Sequence, residues 1–143
     1  MKRTGIIFLM AILMGAALIP GRLTAGNDDK SDQVKVSGPT QVYYFHLSRR
    51  CMTCQTVEKV AEQSVKDLYP EALKNGNVTF KSVNIEDKAN KALLKKLKVS
   101  GQSLLIVNGQ DKIDITDKGF LYAVNEPDKL KAEIKTILEK FVK

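Results

Sequence analysis

From Gln41 onward the sequence alternates between two hydrophobic periods, and this alternation restricts the possible folds more than any other feature. Val42-Tyr43-Tyr44-Phe45 is a short β-branched and aromatic run suited to a buried strand. Cys54, Val57, Val60, Ala61, Ser64, Val65 and Leu68 then recur at helical spacing, with Pro70 just beyond. Asn75-Gly76 marks a turn before a second strand over residues 78–85, carried by Val78, Phe80, Val83 and Ile85. Asp87 is placed to cap a second helix with Ala89, Leu93, Leu94 and Leu97 facing inward. A third strand over 104–107 leads into Asn108-Gly109, a hairpin signal, and residues 112–116 alternate as the returning strand. Pro127 opens a last helix, with Leu130, Ile134, Ile137, Leu138 and Phe141 on one stripe. The order β-α-β-α-β-β-α predicts an α/β domain. A helix between the first two strands makes them parallel through a right-handed crossover, and the hairpin adds an antiparallel edge. One mixed sheet of about four strands, with helices on both faces, is expected.

The residues before this pattern read differently. Lys2 and Arg3 precede an uncharged apolar run from Gly5 to Ile19, broken by Pro20-Gly21 and followed by small residues up to Gly26. That is the layout of a signal peptide over residues 1–25. The run has 15 residues, short of the roughly 20 a spanning helix uses; an uncleaved anchor is the competing reading. Residues 26–39 are polar and read as a tether, and 40–143 as the domain. The whole chain carries 23 basic and 16 acidic residues. Without Lys2, Arg3 and Arg22 it keeps a net charge of +4, spread through helices and interleaved with acids, which describes a solvated surface rather than a nucleic-acid stripe.

The only cysteines, Cys51 and Cys54, flank Met52-Thr53 where the first strand ends and the first helix begins. A thiol at a helix N-terminus faces unpaired N–H groups and the positive end of the macrodipole, which lower its pKa. Arg49 and Arg50 add positive charge in the same direction. Cys51 is therefore the expected exposed nucleophile and Cys54 the resolving partner. A passive staple is the plainer reading in an exported protein. A bridge across four residues, however, removes only about 2 kcal/mol of unfolded-state entropy, against ~4–5 for a long loop.

This junction and element order resemble the thioredoxin-like superfamily over roughly residues 41–142. The resemblance implies a four-stranded sheet, Cys51 as nucleophile, Cys54 as resolving cysteine, and thiol–disulfide exchange with protein substrates. Four features depart from the family pattern. Arg50 stands where a Trp usually precedes the first cysteine, and Met52-Thr53 replaces the usual intervening pairs. Residues 41–47 contain no Asp or Glu where many members bury an acid. Ser103 stands at the position of the family's cis-proline, and with Gln102, Met52 and Thr53 it is expected to line the substrate groove.

His46, the single histidine, lies five residues before Cys51. It reads as a strand-end residue packed at the surface or as a group tuning Cys51. With both cysteines it would form a three-ligand set for Cu(I) or zinc, one donor short of a structural zinc site. Glu58, one turn beyond Cys54, reads as a solvent-facing acid or a proton acceptor. Lys88, Lys91, Lys95, Lys96 and Lys98 form the wet face of the second helix, or a surface recruiting an acidic partner. The sequence has no Gly-rich phosphate loop, Ser-His-Asp set or paired-carboxylate site. The expectation is an extracytoplasmic thiol–disulfide oxidoreductase, periplasmic or extracellular, without a cofactor. It is expected to be monomeric, with protein thiols, protein disulfides and a redox-recycling protein as partners. A membrane enters only if the leader is uncleaved. The alternatives are a non-catalytic binding module with a structural disulfide, and a metal chaperone using His46, Cys51 and Cys54.

Overall fold

A computed structural model describes residues 38–142; the expected leader and most of the tether lie outside the described residues. Four strands, β1 (Thr40–His46), β2 (Val78–Asn84), β3 (Ser103–Asn108) and β4 (Asp111–Asp114), form one sheet in the order β2-β1-β3-β4. β1 runs parallel to β2 and antiparallel to β3, and β4 returns antiparallel to β3. The parallel crossover and the antiparallel edge both follow the sequence pattern. β1 is central and buried almost throughout, which is why it tolerates consecutive aromatic residues.

Alternation along β1 divides its side chains between two cores. Val42 and Tyr44 join α1 (Met52–Leu68), α4 (Thr116–Tyr122) and α5 (Pro127–Leu138) on one face. Tyr43 and Phe45 join Leu97 of α3 (Lys91–Leu97) on the other, with Leu93 and Leu94 packed against them. Strand geometry forces this division, because successive side chains point to opposite faces.

Cys51 caps α1: its backbone is extended (φ −74°, ψ 164°) and its sulfur accepts from the Cys54 amide. Cys54, Val57, Ala61, Ser64 and Val65 form the buried stripe. The helix ends at Tyr69, whose N–H donates to Val65 O, and Pro70 then opens a short α2 (Pro70–Lys74). Proline serves there as a first-turn residue, since its missing N–H would have no helical partner. The sequence pattern treated it only as a terminator.

The structure differs from the expected elements at three further places. The second helix begins as a 3-10 turn (Lys88–Asn90) capped by Asp87, which accepts from the Ala89 amide, and Ala89 is exposed rather than inward. The one buried residue of α3 is its last, Leu97. In the hairpin, Asn108 still pairs with Asp111, so the loop is Gly109-Gln110. The left-handed φ of 58° falls on Gly109, where a two-residue turn calls for glycine. Asn108 is buried, and its amide donates to Thr40 Oγ1 at 2.8 Å, tying the end of β3 to the start of β1.

The third difference is α4, which follows β4 directly. β4 stops at Asp114, whose carboxylate accepts from both the amide and the hydroxyl of Thr116. The Thr116 hydroxyl in turn accepts from Leu104 N at 2.9 Å. Gly119 lies where an added Cβ would meet Val57 Cγ1 at 3.1 Å and Leu104 Cδ2 at 3.3 Å. The residue that weakens α4 by propensity is thus the one that lets it pack against α1 and β3.

Candidate functional site

The C-terminal end of β1 delivers the chain through residues 47–50 to the head of α1, and neighbouring groups fix this short loop. Ser48 N donates to Glu86 Oε2 at 2.7 Å, and Asn84 Nδ2 donates to Ser48 Oγ at 2.9 Å. Hydrogen bonding from Ser48, its side chain first and its backbone N–H second, holds the Glu86 carboxyl below its ordinary pKa. The loop before the cysteines is therefore anchored to the end of β2.

Cys51 and Cys54 form a disulfide with Cα atoms 5.1 Å apart. Their environments are unequal. Cys51 is exposed, whereas Cys54 is only 4% exposed, one turn inside the helix. Cys54 N donates to Cys51 Sγ at 3.1 Å. The first turn of α1 holds no acidic residue, so nothing there offsets the positive end of its macrodipole. On reduction, the same amide and the same field stabilise a thiolate on Cys51.

The residues expected around the pair are placed as follows. Gln102 Oε1 lies 3.8 Å from Cys54 Sγ, so the segment before β3 does reach the disulfide. Ser103 is half-buried, opens β3 opposite Phe45, and donates its hydroxyl to Gly101 O at 3.1 Å. Met52 is 81% exposed, an apolar side chain standing free between the cysteines, and Thr53 is half-buried.

Arg49 is exposed. Arg50 pairs with Glu58, which neutralises much of the positive charge that the sequence alone assigns to the Cys51 thiolate. Glu58 is correspondingly half-buried and paired rather than a freely solvated acid. His46 is buried, not packed at the surface; its Nδ1 lies 2.9 Å from Leu47 O and its ring stacks near Tyr44. Tyr44 lies on the same strand face with its hydroxyl buried and unpartnered among the described residues. Burial pushes that phenol up from its ordinary pKa, with Arg50 pulling the other way. No group of three or more His, Cys, Asp or Glu side chains among the described residues is placed to hold a metal ion.

One feature beside the site escaped the sequence reading. An open groove of about 620 Å³ runs along α1 from Ser48 and Arg50 past Gln55, Glu58, Lys59 and Glu62. Its helical members recur at i, i+3, i+4 and i+7 from Gln55, so the stripe is visible once α1 is known to start at Met52. Nothing in polar helix positions taken singly distinguishes a groove wall from ordinary solvated surface.

No family model matches the chain, and no curated protein matches it. Among solved structures it is similar to Trxlp from Edwardsiella tarda, at 18% identity over 71% of this chain and 87% of that one, with a TM-score of 0.43. The chain's own topology carries the assignment. A four-stranded sheet in the order β2-β1-β3-β4, with β1 and β2 parallel, helices on both faces and a CxxC disulfide heading the helix after β1, is a thioredoxin-like fold.

Proposed function

We propose that the protein is an extracytoplasmic thiol–disulfide oxidoreductase in which Cys51 is the nucleophile and Cys54 the resolving cysteine. The observation that carries the reading is the asymmetry of the pair: an exposed N-cap sulfur accepting from a helix N–H, bonded to a buried one. In the reducing direction, the Cys51 thiolate attacks one sulfur of a substrate disulfide and expels the other as thiolate. Cys54, after losing its proton, attacks the Cys51 sulfur of the mixed disulfide and releases the second substrate thiolate. The protein dithiol is oxidised to the disulfide, the substrate disulfide is reduced, and the released thiolates take up two protons. Oxidation of a substrate dithiol is the same sequence reversed. Gln102 Oε1, 3.8 Å from Cys54 Sγ, is placed to accept from the Cys54 thiol and so favours its protonated form until the resolving step.

Export is supported by the basic, apolar and small-residue order of residues 1–26. Equilibration with glutathione tests the redox reading. A potential between about −120 and −270 mV lies in the span of thiol-exchange proteins. A value below roughly −300 mV is that of a structural disulfide and would make the protein a binding module.

A further inference from the structure

Residues 88–98 contain five lysines and no acid. All five (Lys88, Lys91, Lys95, Lys96 and Lys98) are exposed, and none forms an ion pair among the described residues. The acids that precede them are engaged elsewhere: Glu86 accepts from Ser48 N and Asp87 from Ala89 N. Across the hairpin, Lys112 joins Lys96 and Lys98 around an open cavity of about 390 Å³ whose lining includes no acid. The lysines of α5 differ, since Lys129, Lys131 and Lys135 each pair with a carboxylate.

We infer that the α3 face is an electrostatic docking surface for an anionic lipid bilayer. Specific protein interfaces are built around desolvated aromatic, Met or Arg anchors. This face has none: the exposed large apolar residues are Leu47, Met52, Leu121 and Val124, all on other elements. What it offers is a row of compact, flexible, hydrated ammonium groups, which suits a fluid phosphate surface requiring no fixed geometry. The chain also enters the domain here, because Pro39 and Gln41 share a cavity with Leu93, Lys96 and Leu97. Docking on this face leaves the disulfide accessible, since α1 packs on the opposite side of the sheet. The inference is independent of the redox chemistry.

Lysine acylation footprinting of the full chain tests it, with Lys131 and Lys135 as internal controls. Vesicles of mixed phosphatidylglycerol and phosphatidylcholine should slow acylation of Lys88, Lys91, Lys95, Lys96 and Lys98 by about fivefold or more. The control lysines should be unaffected, and the protection should vanish near ~0.5 M salt, where screening shortens to a few ångströms. The triple variant K91Q/K95Q/K96Q, confined to exposed positions, should lose about a hundredfold in salt-sensitive partition to these vesicles. Equal protection of both helices, the same protection by phosphatidylcholine alone, or none at all would overturn the inference. Protection by soluble polyglutamate but not by vesicles would also overturn it, and would make the face a surface for an acidic protein.

Discussion

The two faces of the sheet are built on different terms. Against α1, α4 and α5 lies a cluster of fourteen buried residues, and several of the charges above it are paired: Lys66 with Glu62, Lys118 with Glu133, Lys131 with Asp67. Against α3 lies a cluster of six, under lysines that have no carboxylate partners among the described residues. Burial supplies most of the stability of a domain, while exposed charges contribute tenths of a kcal/mol each. A protein can therefore place its core on one face and load the other with like charge at modest cost. The disulfide belongs to the first face. Its position depends on α1, and α1 is held by the larger core.

The largest expected effect is at the disulfide itself. Cys51→Ser should abolish thiol–disulfide exchange, whereas Cys54→Ser should retain attack and accumulate a mixed disulfide that the partner thiol can no longer resolve. Mass spectrometry of each variant with a disulfide peptide separates the two results. Equal reactivity of the two single-cysteine variants would remove the distinction between an exposed nucleophile and a buried resolver.

Next in size is the difference between the cores. Ile134→Ala, fully buried in the larger cluster, should cost about 3–4 kcal/mol in urea unfolding. Leu97→Ala at the rim of the smaller one should cost about 2 kcal/mol, because a site near the surface relaxes more easily. Equal losses would mean that the faces share stability evenly.

These expectations also show which parts of the molecule can be read from sequence. β1, β2, β3, α1 and α5 announce themselves because each has a clean period and a marked start or stop: Cys51 and Pro70 around α1, Pro127 before α5. α4 does not, because Gly119 argues against a helix locally and the reason for it, close approach to Val57 and Leu104, exists only in the folded state. The cysteine pair and its place at a helix start were legible for the same reason as α1. The turning of Arg50 toward Glu58 was not, since residues eight apart have no fixed relation until the loop at 47–50 is anchored to Asn84 and Glu86. Gln102 reaches Cys54 across 48 positions, and only the resemblance to a known family pointed to that segment.

A smaller effect probes the charge contrast directly. Lys91 and Lys95 are four apart on α3 and repel one another. Lys91→Glu should convert that pair to an attractive one and place an acid in the first turn, raising stability by about 0.5 kcal/mol. On α1, Lys66→Glu removes the partner of Glu62 and should lower it by a similar amount. If Lys91→Glu also abolishes the vesicle-dependent protection of α3, stability and surface charge are opposed at this position. A stabilising change that leaves protection intact would mean that Lys91 adds nothing to docking.

The smallest effect concerns Asp67, which joins α1 to α5. Lys131 Nζ donates to one carboxylate oxygen and Gln63 Nε2 to the other, each at 2.7 Å. These bonds, that from Lys131 first, hold the carboxyl below its ordinary value of 3.8. A carboxylate whose folded pKa is depressed adds stability above its unfolded pKa and loses it as pH falls through the folded one. Wild type should therefore exceed Asp67→Asn in stability at neutral pH, and the gap should begin to close near pH 4 and vanish below the folded pKa. Because the group is exposed, the gap should be small and should shrink further in high salt. A gap that persists in acid would mean that Asp67 acts through hydrogen-bond geometry that Asn cannot reproduce. Lys91→Gln provides the contrast: with no carboxylate partner on α3, its effect on stability should show no step in this acid range.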